Sequence, residues 1–302
     1  MRFVDSRGTE RATAIARAAE DEARRIERKY SRYRDDSVVS EINRNAGRTP
    51  VAADQETVFL VERAIEMARG TAGRFDPTSG VLRRVWDFKG GRVPSVEEVE
   101  ALLPLVDYRQ LSVRDGTIFL RRAPMEIDLG GVGKEYAVDR VAALLASEGI
   151  RSAVISFAGD VRTLGGRGDG RPWAVGVVDP RDRARCRFTV RVAGGAGIAT
   201  SGDYERAFVV DGVRYHHLLD ATTGWPVHGV ASATVVAADA MEAGRCATAA
   251  VLLGPEAGLA LLESASGVEG ALILEDGALL ATEGMSRLSD LPGSLYAGYP
   301  AV

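Results

Sequence analysis

Three Asp-Gly pairs, Asp115-Gly116, Asp211-Gly212 and Asp276-Gly277, each sit between runs of alternating apolar and polar residues, and this punctuation constrains the fold more than any other feature. Such pairs tolerate the positive φ of a tight turn, so each predicts two antiparallel strands. The hairpins fall in "LSVRDGTIFLRR", "YERAFVVDGVRYHHLLD" and "GALILEDGALLATEG". Helical periodicity fills much of the rest. Ile15, Ala19, Ala23, Ile26, Tyr30 and Tyr33 recur at three- and four-residue spacing, predicting an amphipathic helix over about 9–34. A second helix is expected over 54–69, with Asp54 as N-cap and Gly70 at its stop, and a short third from Ser95. Two more are expected over 240–253 and 255–264. The stretch "MEIDLGGVGKEYAVDRVAALLASEGIRSAVISF" reads as strand, glycine turn, helix ended by Gly149, and strand, which is one β-α-β unit. Hairpins interleaved with helices predict an α+β fold with mixed and antiparallel sheets and packed helices, not a doubly wound parallel one. No low-complexity linker interrupts the chain, so 1–302 reads as a single domain built of two intimately associated subdomains.

Composition narrows the function classes. Lys plus Arg number 38 and Asp plus Glu 42, a formal net charge of −4, so there is no basic footprint for nucleic acid. No apolar run is long enough for a membrane helix, and "MRFVDSRGTER" lacks the apolar region of a secretory signal. The expectation is a cytoplasmic chain as written, with export left open should the true start lie upstream. The two cysteines, Cys186 and Cys246, form no Cys-x-x-Cys and are expected as reduced packing residues.

Three stretches could carry chemistry. Asp128-Leu129-Gly130-Gly131-Val132-Gly133-Lys134 precedes a helix, where glycine-freed N–H groups, a helix end and a lysine form the kind of nest that holds phosphate oxygens. A plain glycine-rich turn explains the same residues equally well. It is not a Walker A loop, because Asp128 and Glu135 stand where that motif needs Gly and Ser or Thr. The second stretch is Thr200-Ser201-Gly202-Asp203-Tyr204, followed by His217-Leu218-Leu219-Asp220 and Thr222-Thr223-Gly224. Adjacent His216 and His217 on one strand face opposite sides, so one is expected in the core and one at a site, with Asp220 available as an imidazole partner. The third, Gly73-Arg74-Phe75-Asp76-Pro77-Thr78, reads by itself as a turn.

Taken together in this order, these stretches resemble the ApbE family of FAD:protein FMN transferases over nearly the whole chain. The resemblance rests on "SRYRDDSVVSEINRNAG", "GRFDPTSGVLRRVWDF", "IDLGGVGKEYAVDRVAALL", "ISFAGDVRTLGG", "WAVGVVDP", "IATSGDYERAFVVDGVRYHHLLDATTG" and "ATAAVLLG". It implies FAD as donor, Mg2+, and transfer of FMN to a threonine hydroxyl of an acceptor protein with release of AMP. By motif it implies flavin or FAD contacts at Tyr33, Phe75, Asp76, Asp128, Lys134, His217 and Leu218. His217 and Lys134 are the implied catalytic pair, and the Gly131 carbonyl and Thr248 hydroxyl the implied metal ligands.

Three positions depart from the family pattern, and one of them, Ala221 where a proline usually follows Asp220, is a lesser matter of turn rigidity. Gly244 stands four residues before Thr248, where the resemblance implies a metal-binding aspartate, so the metal site is expected to lose its main negative charge. Glu135 stands where a glycine usually follows the lysine, an added anion with an outward direction open to it. An impaired, binding-only relative and a slow FAD pyrophosphatase are the alternatives to full transferase activity. On this reading Gly244→Asp should strengthen metal binding.

Overall fold

The computed structural model describes residues 1–3 and 8–291. In chain order, β1 (Arg2–Phe3), α1 (Thr9–Tyr30), α2 (Val38–Arg44), β2 (Val51–Ala52), α3 (Gln55–Gly70), α4 (Val96–Glu100), β3 (Leu111–Arg114), β4 (Thr117–Leu120) and α5 (Gly133–Ser147) come first. A run of ten strands follows: β5 (Ala153–Phe157), β6 (Asp160–Leu164), β7 (Trp173–Val178), β8 (Cys186–Val192), β9 (Gly197–Gly202), β10 (Ala207–Val210), β11 (Val213–His216), β12 (Leu219–Asp220), β13 (Trp225–Pro226) and β14 (Val230–Ala237). The last elements are α6 (Ala240–Leu253), α7 (Pro255–Ser264), β15 (Glu269–Leu274), β16 (Leu279–Ala281) and α8 (Met285–Leu288). They divide into two compact units, one built from Met1–Ala23, Glu135–Tyr204 and His228–Val302, the other from Arg24–Lys134 and Glu205–Val227. The boundary runs through α5, between Lys134 and Glu135.

The first unit is organised by a seven-stranded sheet in the order β1-β5-β6-β9-β14-β15-β16, antiparallel throughout. All eight residues of β14, "VASATVVA", are buried, as befits a central strand covered on both faces. One apolar cluster joins Ile15 and Ala19 of α1 to Val138, Val141 and Leu145 of α5 and to Ile155. These are the stripes that the three- and four-residue spacing predicts. A second cluster packs Val177, Phe188 and Val190 of the β7–β8 hairpin with Ile198, Val236 and Ile273. Gly197 lets the chain entering α6 lie directly on β9, since a Cβ there would stand 2.0 Å from the Asp239 carbonyl carbon. Helix α6 then receives two caps. Asp239 accepts from the Glu242 N–H at 2.8 Å, and Asp139 of α5 accepts from Ala240 and Met241 N–H at 3.0 and 2.9 Å. Together these satisfy three of the donors that a helix start leaves unpaired.

The second unit holds the sheet β2-β4-β3 and the separate pairs β10–β11 and β12–β13. The turns at Asp115-Gly116 and Asp211-Gly212 have φ of 49° and 70°, and 50° and 79°, which is the geometry those dipeptides predict. Asp54 caps α3 through the Thr57 N–H, and Ser95 with Glu98 makes a capping box on α4. Trp86 anchors an aromatic cluster, with ring centroids 5.3 Å from both Phe88 and Trp225, and its Nε1 donates to the Gly224 carbonyl at 2.9 Å.

The structure differs from the sequence reading at four local points. Helix α1 ends at Tyr30, so Tyr33 lies in the loop after it. Helix α2 went unpredicted because seven residues carry only two buried positions, Val39 and Ile42, and a Ser37 cap. The β-α-β unit lacks its first strand. Residues 125–129 make one isolated parallel bridge, Glu126 to Ser79, and belong to a different unit from β5. Both cysteines are unpaired by disulfide, as expected, but Cys186 is exposed instead of packed. No described helix is long and apolar enough to cross a membrane.

Candidate active site

In the second unit, two of the three chemistry-bearing stretches meet through the backbone. The Asp128 N–H donates to the Pro77 carbonyl at 2.7 Å, which lays the 73–78 turn beside the segment leading to Gly131. The Phe75 ring covers Gly131 so closely that a Cβ there would stand 2.7 Å from Cε2, so any side chain at this position would have to displace the ring. Asp76 is buried and holds the turn itself. Its carboxylate accepts from the Thr78 N–H and hydroxyl, both at 2.7 Å, and from the Tyr108 N–H at 2.8 Å. Burial nevertheless pushes its pKa up, with the hydrogen bonds opposing that rise.

Asp128 is half-open. One oxygen accepts from the Gly130 N–H at 2.9 Å and the other pairs with Arg32. Arg32, almost wholly buried, also donates to the Gly80 carbonyl at 2.9 Å. Its guanidinium lies 5.9 Å from the Tyr33 ring centroid, and that of Arg83 lies 5.8 Å away. Tyr33, 74% exposed, is thus an aromatic face held by two cations at the open side of the Asp128 segment. Sequence reading missed Arg32. Its only signal was its place beside Tyr33, since arginines crowd the whole of α1.

Lys134 stands exposed in the first turn of α5, where the glycine nest was expected. It belongs with His217, because its positive charge is among those that act on that imidazole. His216 and His217 do diverge as strand alternation predicts. His216 is in the core with Nε2 2.8 Å from the Val227 carbonyl, whereas His217 follows the end of β11 with a buried Nδ1 that has no hydrogen-bond partner among the described residues. Burial, then the charges of Arg206, His216 and Lys134, push the His217 pKa down to about 4. Its backbone is fixed by the Arg206 and Leu219 main chain, and the Leu218 carbonyl accepts from the Val227 N–H at 3.1 Å. Asp220 does not partner His217. It accepts from the Thr222 N–H and hydroxyl at 2.9 and 2.6 Å and pairs with Arg74 at 3.5 Å.

Thr248 belongs to the first unit. Ser201 on β9 faces α6, where its Oγ lies 2.8 Å from Thr248 Oγ1, while Thr200 points to the opposite face and pairs with Thr234 at 2.8 Å. Asp203, fully buried nearby in sequence, is taken up by a bidentate pair with Arg181 at 2.6 and 2.8 Å. Glu135 does not take the outward direction that was open to it. It is 5% exposed and fills the space over Gly244, where a Cβ would stand 2.5 Å from Glu135 Cγ and 2.9 Å from Oε1. Glu242 does not take that place, being paired with Arg245 at 2.8 Å. Among the described residues no three His, Cys, Asp or Glu side chains gather as a metal cluster. Glu135 over Gly244, and the Thr248 and Ser201 hydroxyls one turn further along α6, are hard-oxygen groups of the kind magnesium takes while keeping much of its own water.

Solved structures place this arrangement among flavin transferase folds. The crystal structure of the ApbE protein from Thermotoga maritima matches with a TM-score of 0.87 at 34% identity, covering 95% of this chain and 94% of that one. The flavin transferase ApbE from Vibrio cholerae matches at 0.81 and 29% identity, covering 95% and 92%. A curated FAD:protein FMN transferase from Treponema pallidum is 34% identical over 273 residues, 84% of this chain and 75% of the relative. The ApbE family model matches residues 2–272. The chain belongs to the ApbE family.

Proposed function

We propose that this protein is an FAD:protein FMN transferase, which passes FMN from FAD to a threonine hydroxyl of an acceptor protein and releases AMP. The observation that carries the reading is His217, whose Nδ1 has no hydrogen-bond partner among the described residues and whose imidazole is held neutral by burial and by nearby positive charge, Lys134 included. Neutral imidazole is the form that can take a proton. In the step proposed, the acceptor hydroxyl oxygen bonds to the FMN phosphorus and the phosphorus–oxygen bond to the AMP half breaks with its electron pair. The hydroxyl proton passes to the neutral His217 imidazole. Lys134 and the N–H groups at the start of α5 stabilise negative charge on the phosphates. Tyr33 and Phe75 offer aromatic faces to the flavin, and Asp128 an acceptor for a ligand hydroxyl or amide. A magnesium ion, with Thr248 among its ligands, would supply further positive charge.

The test is incubation with FAD, Mg2+ and an acceptor protein carrying a reactive threonine, followed by AMP release and protein-bound flavin fluorescence. The expected result is AMP and labelled acceptor in equal amounts, both lost in His217→Ala. AMP without labelling would make the protein a pyrophosphatase, and FAD binding without AMP a flavin-binding relative.

A further inference from the structure

Helices α5 and α6 face each other along one line of contacts. Asp139 of α5 caps Ala240 and Met241 at the start of α6. One turn earlier on the same face of α5 stands Glu135, and one turn later on the same face of α6 stands Gly244. At this second level the two positions are complementary. Gly244 is buried and has no side chain, and the space a side chain would need holds the carboxylate arm of Glu135. One further turn along α6 brings Thr248, with Ser201 at 2.8 Å. The carboxylate that α6 lacks is therefore present, supplied from the opposite helix.

We propose that Glu135 is the carboxylate ligand of the protein's magnesium site, delivered from α5 into the space left open by Gly244 and acting with Thr248. This rests on the transferase reading for the identity of the metal. Hard cations gain affinity with each charged oxygen, and Glu135 brings one to the face of α6 that carries Thr248. The departures at 135 and 244 then compensate each other. The proposal reverses the expectation that Gly244→Asp strengthens the site. Added to a chain that keeps Glu135, the new side chain collides with Glu135 Cγ and displaces the ligand.

The test uses the full chain without FAD and Mn2+ as probe, titrated by electron paramagnetic resonance and competed with Mg2+. Wild type should bind one Mn2+ that Mg2+ displaces. Glu135→Gln, which keeps shape and removes charge, should weaken it at least tenfold, and Gly244→Asp alone should weaken it too. The exchange Glu135→Gly with Gly244→Asp should restore binding to within a few-fold of wild type, and it carries the test should Glu135→Gln fail to fold by circular dichroism. Undiminished Mn2+ binding in folded Glu135→Gln, tighter binding in Gly244→Asp, or no Mn2+ bound by wild type would each overturn the assignment. FAD-dependent labelling of an acceptor is read separately. Labelling with undiminished Mn2+ binding in Glu135→Gln overturns this inference and leaves the transferase reading standing. Mn2+ loss in that variant without wild-type labelling supports the ligand and overturns the transferase reading.

Discussion

Replacing His217 by glutamine should change the way stability depends on pH. In the folded protein the imidazole pKa is pushed from an ordinary 6.5 down to about 4, first by burial and then by Arg206, His216 and Lys134. The folded state therefore rejects a proton that the unfolded chain accepts. The stability linked to His217 is complete above about pH 6.5 and is lost progressively as pH falls toward 4. At pH 5 the unfolded imidazole sits about 1.5 pH units below its ordinary pKa while the folded one is still neutral. At about 1.4 kcal/mol per unit, this costs wild type about 2 kcal/mol relative to pH 7. Glutamine fills similar space and does not titrate, so His217→Gln escapes that loss. Urea unfolding of both proteins at pH 7 and pH 5 reads the effect as a difference of differences, in which the carboxylates common to both cancel. The variant should gain about 2 kcal/mol on wild type between the two pH values. A constant gap, or a His217 proton resonance titrating near 6.5, would refute the account of a buried neutral imidazole.

Lys134→Ala should weaken FAD binding several-fold more than riboflavin binding, measured by fluorescence quenching, because riboflavin has no phosphate; equal losses would remove the phosphate role. Arg181→Ala should cost roughly 3 kcal/mol in urea unfolding, since it leaves the fully buried Asp203 carboxylate without its bidentate partner. Adding Asp203→Asn to that variant should recover much of the loss, and no recovery would mean that the cost is one of packing.

The local order of this protein is written in its sequence. Asp-Gly turns, the caps at Asp54 and Ser95, and the stripes of α1 and α5 depend on residues within a few positions of one another, so periodicity and turn chemistry suffice to find them. The candidate residues of the second unit stood out in the sequence for a related reason, since each lies in a short motif next to a turn or helix end. What the sequence left open is direction. Nothing near residue 135 says that its carboxylate is buried, and nothing near residue 244 says that its missing side chain is filled from elsewhere. The same holds for Asp220, whose nearness to His217 in sequence suggested a partnership that its own turn forecloses. Local signals are set by backbone geometry over one or two turns of chain. Whether a carboxylate is spent on its own loop, paired with Arg181 or Arg32, or laid over Gly244 depends on which distant element packs over it, and only the tertiary structure decides that.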